Sequence, residues 1–218
     1  ELPLMNRAAV EGWIASQHRA GRLNLFHWPH QSKAKALAAV SDAFFDISKG
    51  LPLHMIYSFE AVARVGNEVT PDLVRAQPAC PSGDIRDYYA GFMLQLSPRG
   101  KAILHVLAGL DFSPPPFALN NCFGVDDQSI LGLAEIGHLL DFREMEVRPF
   151  HGSLFAFLRN DPIHHSTFMA NSAPTLAWLE TEAPPYWREA WLWITQATRG
   201  NAQNLIKGPS REWALSFV

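Results

Sequence analysis

Helical stripes and short apolar runs alternate along the first 60 positions, which predicts helices that alternate with strands. A helix over residues 7–20 would follow the N-cap Asn6, and a second helix would follow Ser32. Two short apolar runs, 23–26 and 53–59, are typical of buried strands. Because helices that alternate with strands pack on a sheet, this order favours an α/β fold.

The second helix carries the clearest apolar stripe in the chain. Its members lie three or four positions apart and share one helical face: Leu37, Val40, Phe44 and Ile47. We expect this stripe to be buried against the strand predicted over 53–59.

The middle of the chain is compatible with more than one assignment. Residues 88–96 are aromatic and apolar enough for a strand. Residues 97–109 fit either a helix capped by Ser97 or the return strand of a hairpin, and the short apolar run without a stripe favours the hairpin. A helix is predicted over 127–141 and a last strand over 144–150.

The last third of the chain is predicted to consist of short helices separated by prolines. We therefore expect an α/β fold, with a mixed α+β fold as the alternative, in which helices pack on a small central sheet. An α/β core would occupy residues 1–151, and a helical cap packed on it would occupy 152–218, within one continuous domain.

Composition excludes several classes of protein. The 48% hydrophobic content, with seven Trp and fourteen Phe, indicates a sizeable aromatic core. A net charge of −3 argues against non-specific nucleic-acid binding, and no apolar run is long enough for a membrane span. Because Cys80 and Cys122 alone form no disulfide framework or zinc ribbon, we expect a reducing, cytoplasmic location, with one disulfide between them as the alternative.

Histidines supply the alternative of a metal site. His27 and His30 lie three positions apart, and Glu135 with His138 has the spacing that carboxylate metal sites use in helical bundles. His164 could add a ligand, yet no segment supplies the three or four ligands that most metal sites need. We therefore expect no cofactor and regard His27 and His30 as a structural junction. A metal-assisted hydrolase that uses some of these five residues is the alternative function.

One further histidine, His105, is flanked on both sides by apolar residues. A histidine in such a position is usually a hydrogen-bonded core residue rather than a catalytic one.

The segment LSPRGKAILHVLAGLDFS, residues 96–113, resembles the opening of the helix-turn-helix domain of quorum-sensing-type transcription regulators. The resemblance implies DNA binding through a later recognition helix. The chain departs from that family at residues 114–124, where PPPFALNNCFG replaces the compact second helix, and at 127–141, which lacks the basic residues that contact phosphates. A helix-turn-helix regulator is therefore the second alternative.

The leading hypothesis is a non-enzymatic binding or adaptor domain. The chain carries no phosphate loop, dinucleotide fingerprint, GxSxG or HExxH motif. The proline-rich loop 111–117 would present Phe112 and Phe117 at an exposed surface, and Trp187 and Trp191 share one helical face. We expect these four aromatic residues to bind a protein partner or a small ligand, without contacts to nucleic acid or a membrane span.

Overall fold

The computed structural model describes residues 3–25, 32–64 and 68–203, which are mainly helical. The predicted α/β fold, and the α+β alternative with a small central sheet, are both wrong. Within the described ranges there is one sheet, and it has only two strands.

Two compact units make up the chain, residues 1–95 and residues 96–218. The expected boundary between a core and a cap, at residue 151, falls inside the second unit. None of the described helices reaches the length and apolar character that crossing a bilayer requires.

The first unit is built from helices whose ends agree only partly with the predictions. These helices are α1 (Arg7–Arg19), α2 (Lys33–Ser48), α3 (Pro52–Arg64), α4 (Pro71–Arg75) and α5 (Ile85–Gln95). The predicted caps of α1 and α2 are confirmed, because the side chains of Asn6 and Ser32 accept hydrogen bonds from the backbone N–H groups of Ala9 and Lys35.

Two predicted strands of this unit are helices instead. In α3 the buried residues Met55, Phe59 and Val62 recur with the helical period, which the short apolar run concealed. In α5 the aromatic residues Tyr88 and Phe92 lie one turn apart and their rings stack with centroids 6.0 Å apart. Packing in a helix therefore outweighed the β-propensity of these aromatic side chains.

The strand predicted at 23–26 is also absent from its described part. Leu25 forms only an isolated parallel bridge with Val69. Residue 26 lies outside the described residues.

The apolar stripe of α2 is buried, as predicted, but it packs in an all-helical core. Val40, Phe44 and Ile47 are buried, and Leu37 is partly buried at the edge of the same cluster. The cluster includes Phe59 of α3, so the partner of the stripe is a helix where a strand was expected.

Truncation of Phe44 should measure how strongly this core is packed. We expect Phe44→Ala to lower the free energy of unfolding by about 3–5 kcal/mol in urea denaturation, because the ring is fully buried. The neighbouring half-buried Phe45, against which the Arg7 guanidinium packs, is the matched control, and Phe45→Ala should cost clearly less. A loss below about 1 kcal/mol for Phe44→Ala would show that α2 does not pack in this way.

A buried histidine makes the first unit sensitive to acid. His54 donates its Nε2 hydrogen to the carbonyl oxygen of Pro78 at 2.8 Å, while its Nδ1 is buried without a hydrogen-bond partner. Because burial disfavours the charged ring, the pKa of His54 is lowered to about 4.

The unfolded chain binds a proton at this residue below about pH 6.5, whereas the folded chain does not until about pH 4. The free energy of unfolding should therefore fall as the pH drops through this window, by up to about 3 kcal/mol from His54 alone. We expect urea denaturation of His54→Gln to show a shallower decline with pH than the unsubstituted chain. Parallel pH profiles for the two proteins would refute the assignment.

The second unit combines helices with a short hairpin. Its elements in chain order are α6 (Pro98–Gly109), a 3₁₀ helix (Pro116–Ala118), α7 (Leu119–Phe123), α8 (Asp127–Ile136), a second 3₁₀ helix (Gly137–Leu139), β1 (Leu140–Phe142), β2 (Val147–Pro149), α9 (Ser153–Arg159), α10 (His164–Asn171), α11 (Ala173–Thr181) and α12 (Pro185–Thr198). The strands are antiparallel, and Asp141 faces Arg148 at the centre of the pairing.

Residues 97–109 form helix α6, so the preferred hairpin is wrong and the alternative helix is confirmed. The Ser97 hydroxyl accepts a hydrogen bond from the Gly100 N–H at 3.0 Å, and Pro98 occupies the first helical position. Residues 102–108 are all buried, because α8, α9 and α10 pack around the helix. A helix buried on every side shows no amphipathic stripe, which explains the error.

Other predictions for this unit are partly or fully confirmed. The helix predicted over 127–141 is shorter, since α8 ends at Ile136 and the chain enters β1 at Leu140. The strand predicted over 144–150 contains β2, and the short helices expected after residue 152 are present as α9 to α12.

Candidate ligand-binding groove

The second unit contains a groove of about 740 Å³. Its walls are the loop 110–114 after α6, the hairpin residues 143–147 and 149, one side of α9 and the first half of α12. Volumes of roughly 300–1,000 Å³ are typical of ligand sites.

Phe112 and Trp191 form one wall of the groove. Their rings stack with centroids 5.6 Å apart and an interplanar angle of 23°. Phe112 is only 9% exposed, so the prediction that it lies on an exposed loop is wrong. The cause is the carbonyl of Pro114, which accepts a hydrogen bond from the Val147 N–H at 2.8 Å and holds the loop against β2.

Phe117 and Trp187 form a second aromatic pair beside the first. Their rings meet edge to face with centroids 6.4 Å apart, and Tyr186 packs edge to face on Trp187 at 5.1 Å. Phe117 is 61% exposed and does not itself line the groove, whereas Trp187 and Tyr186 do. The four aromatic residues selected from the sequence are thus brought together as two contacting pairs.

Several charged side chains of the groove are already engaged. The Arg143 Nε donates to the Asp141 carboxylate at 2.8 Å, and Glu146 pairs with Arg148. Asp141 and Arg148 do not line the groove, so these two pairs hold the hairpin rather than face a ligand.

Three further charged residues line the groove without an ionic partner in the described part of the chain. The Arg159 Nε donates to the Ala108 carbonyl oxygen at 2.6 Å. Asp111 accepts a long hydrogen bond of 3.4 Å from the Thr198 hydroxyl, and Glu144 is exposed with no hydrogen bond to any described residue. No sequence pattern marks these three residues, because their convergence depends on how the loop, the hairpin and α9 meet.

The candidate metal ligands are dispersed. Glu135 accepts hydrogen bonds from the Ser97 hydroxyl at 2.7 Å and from the Ser97 N–H at 3.2 Å, so it supports the start of α6. His138 is buried in the second 3₁₀ helix, and His27 and His30 lie outside the described residues. Among the residues with described positions, no three or more His, Cys, Asp or Glu side chains are grouped so that they could hold a metal ion.

His164 instead contacts His105, which is buried as expected. Their Nδ1 atoms are 3.1 Å apart, so one nitrogen donates a hydrogen to the other. The His105 Nε2 lacks a hydrogen-bond partner and lies 3.9 Å from the Asp161 carboxylate. Burial lowers the pKa of both rings, which favours a neutral pair. Neither histidine lines the groove.

Helix α8 occupies the position that the helix-turn-helix resemblance assigns to the recognition helix. It begins at two acidic residues, Asp126 and Asp127, and contains no Lys or Arg. Ile130 and Leu131 are exposed on its surface. The helix therefore offers no cationic side chain for phosphate contacts.

Comparisons with protein-family models, with curated proteins and with solved structures found no match. The chemistry of the groove therefore has to follow from its own residues.

The two phenylalanines of the loop give a matched test of the groove's construction. We expect Phe112→Ala to lower the free energy of unfolding by about 3 kcal/mol, because its ring is buried against Trp191. Phe117→Ala should change it by less than about 0.5 kcal/mol, because that ring is mostly exposed. Equal losses in urea denaturation would contradict the described positions of the two rings.

Proposed function

We propose that the chain is a non-enzymatic binding or adaptor module, and that the groove of its second unit receives an extended segment of a protein partner. The proposal is supported by two contacting aromatic pairs, Phe112 with Trp191 and Phe117 with Trp187, of which three rings line one groove and Phe117 lies beside it. Trp and other large rings supply contact area with few rotatable bonds, and they dominate the energetics of many interfaces.

The residues that line the groove favour an extended peptide over a compact small molecule. Pro114 and Pro149 lie in its walls beside the aromatic rings, and Tyr186 at its edge is more than half exposed. Aromatic-lined grooves of this type bind extended, proline-containing segments in known recognition modules. The hydrogen bond between Val147 and Pro114 holds the loop in place before binding, which lowers the ordering cost.

A cytoplasmic location is part of the proposal. Cys80 and Cys122 are both free and buried, and burial raises the pKa of the thiols to about 11 and about 12. Such thiols remain protonated and unreactive, which suits a reducing compartment.

The proposal involves no cofactor and no nucleic acid. The hydrolase alternative has no supporting arrangement among the described residues, since Glu135 is engaged by Ser97 and His164 by His105. The acidic start of α8 likewise gives no support to the regulator alternative.

The proposal is tested by NMR titration of the tryptophan indole N–H signals, assigned with single Trp→Phe variants. The probes are acetylated, amidated peptides of sequence Pro-Pro-X-Pro-Pro with X as Lys, norleucine or Glu. We expect at least one peptide to shift the signals of Trp187 and Trp191, and Trp187→Ala to weaken its binding at least about tenfold.

Trp193 is the matched control, because it lies on the same helix but outside the groove. Trp193→Ala should leave the affinity unchanged. The proposal fails if none of the peptides binds at millimolar concentration, or if binding is indifferent to Trp187→Ala.

A further inference from the structure

The residues that line the groove carry a net negative charge when the side chains already engaged in ion pairs are set aside. Glu146 is neutralised by Arg148, and Arg143 by Asp141. The lining residues without an ion-pair partner in the described part of the chain are then two carboxylates, Asp111 and Glu144, and one guanidinium, Arg159.

The remaining guanidinium is held towards the wall of the groove. The Arg159 Nε donates to the carbonyl oxygen of Ala108, at the end of α6, over 2.6 Å. The two carboxylates have weaker attachments, since Asp111 accepts only the 3.4 Å hydrogen bond from Thr198 and Glu144 has no partner among the described residues. The residual charge of the lining is therefore negative.

Aromatic rings line the same groove as these carboxylates. Tyr186, Trp187 and Trp191 all line it, and none of the three is fully buried. The face of an aromatic ring attracts a cation, most strongly where the cation is partly shielded from water. Carboxylates and aromatic faces together select a cationic side chain over an acidic or a neutral one.

We infer that the partner segment carries a basic side chain, Lys or Arg, which enters the groove between the rings of α12 and the carboxylates of Glu144 and Asp111. This inference rests on the proposed function and adds the chemistry of the bound residue. An acidic side chain at the same position would face two like charges, and norleucine would fill the same volume without the attraction.

The experiment compares the three Pro-Pro-X-Pro-Pro peptides by tryptophan fluorescence at about 20 mM salt. We expect the Lys peptide to bind roughly three- to fivefold more tightly than the norleucine peptide, and the Glu peptide to bind most weakly. The preference for Lys over norleucine should shrink at about 0.5 M salt, because exposed charges are screened.

A charge-reversal variant and its control assign the preference to the groove. Glu144→Lys should abolish the preference for Lys over Glu, whereas Asp127→Lys, which also reverses an acidic charge but lies on α8 outside the groove, should preserve it. Circular dichroism of both variants checks that they remain folded.

The outcomes separate this inference from the proposed function. Equal affinities for the Lys and norleucine peptides, with binding that still depends on Trp187, would overturn the inference and leave the groove as the binding site. A Lys preference that survives Glu144→Lys and Asp111→Lys together would also overturn it. Absence of binding by all three peptides would overturn the proposed function and the inference with it.

Discussion

Burial of α6 between residues 102 and 108 is the constraint on which the second unit depends. Its residues from 102 to 108 are all covered by α8, α9 and α10, so its position is fixed on several sides. At its end, a Cβ added to Gly109 would lie 2.4 Å from the Phe168 ring, which requires glycine there. The loop that forms one wall of the groove therefore leaves a helix end that has little freedom to move. Arg159 of α9 is tied to the same helix end through the Ala108 carbonyl.

The groove follows from what this fixed end imposes on the loop after it. Leu110 and Phe112 are buried, and the Pro114 carbonyl is bound by the first residue of β2. The loop thereby places the Phe112 ring against Trp191 of α12 and connects the hairpin to the helical C-terminal part of the unit. The loop holds the rings of Phe112 and Trp191 in contact, which would lower the ordering cost of the proposed binding.

The sequence predicted elements whose ends and faces are marked locally. The helix α1 is predicted from its cap Asn6, and α2 from its cap Ser32 and the apolar stripe around Phe44. Caps and amphipathic periods are local signals that the sequence shows directly. For α3, α5 and α6 the sequence pattern predicts strands, because a short apolar run, aromatic content or burial on all sides hides the helical stripe. For the site, the shared face of Trp187 and Trp191 was visible in the spacing. The placement of Glu144 and Arg159 at the groove depends on the tertiary packing of the hairpin and α9, which no local sequence pattern encodes.

The aromatic wall of the groove depends on the contact between Phe112 and Trp191, and a double-mutant cycle measures that contact directly. Urea denaturation of the unsubstituted chain, Phe112→Ala, Trp191→Ala and the double variant gives the coupling free energy of the two rings. Stacked rings at this separation predict a coupling of about 0.5–1.5 kcal/mol. Additive losses, with a coupling near zero, would show that the rings do not meet, and the aromatic wall of the groove would not exist as described.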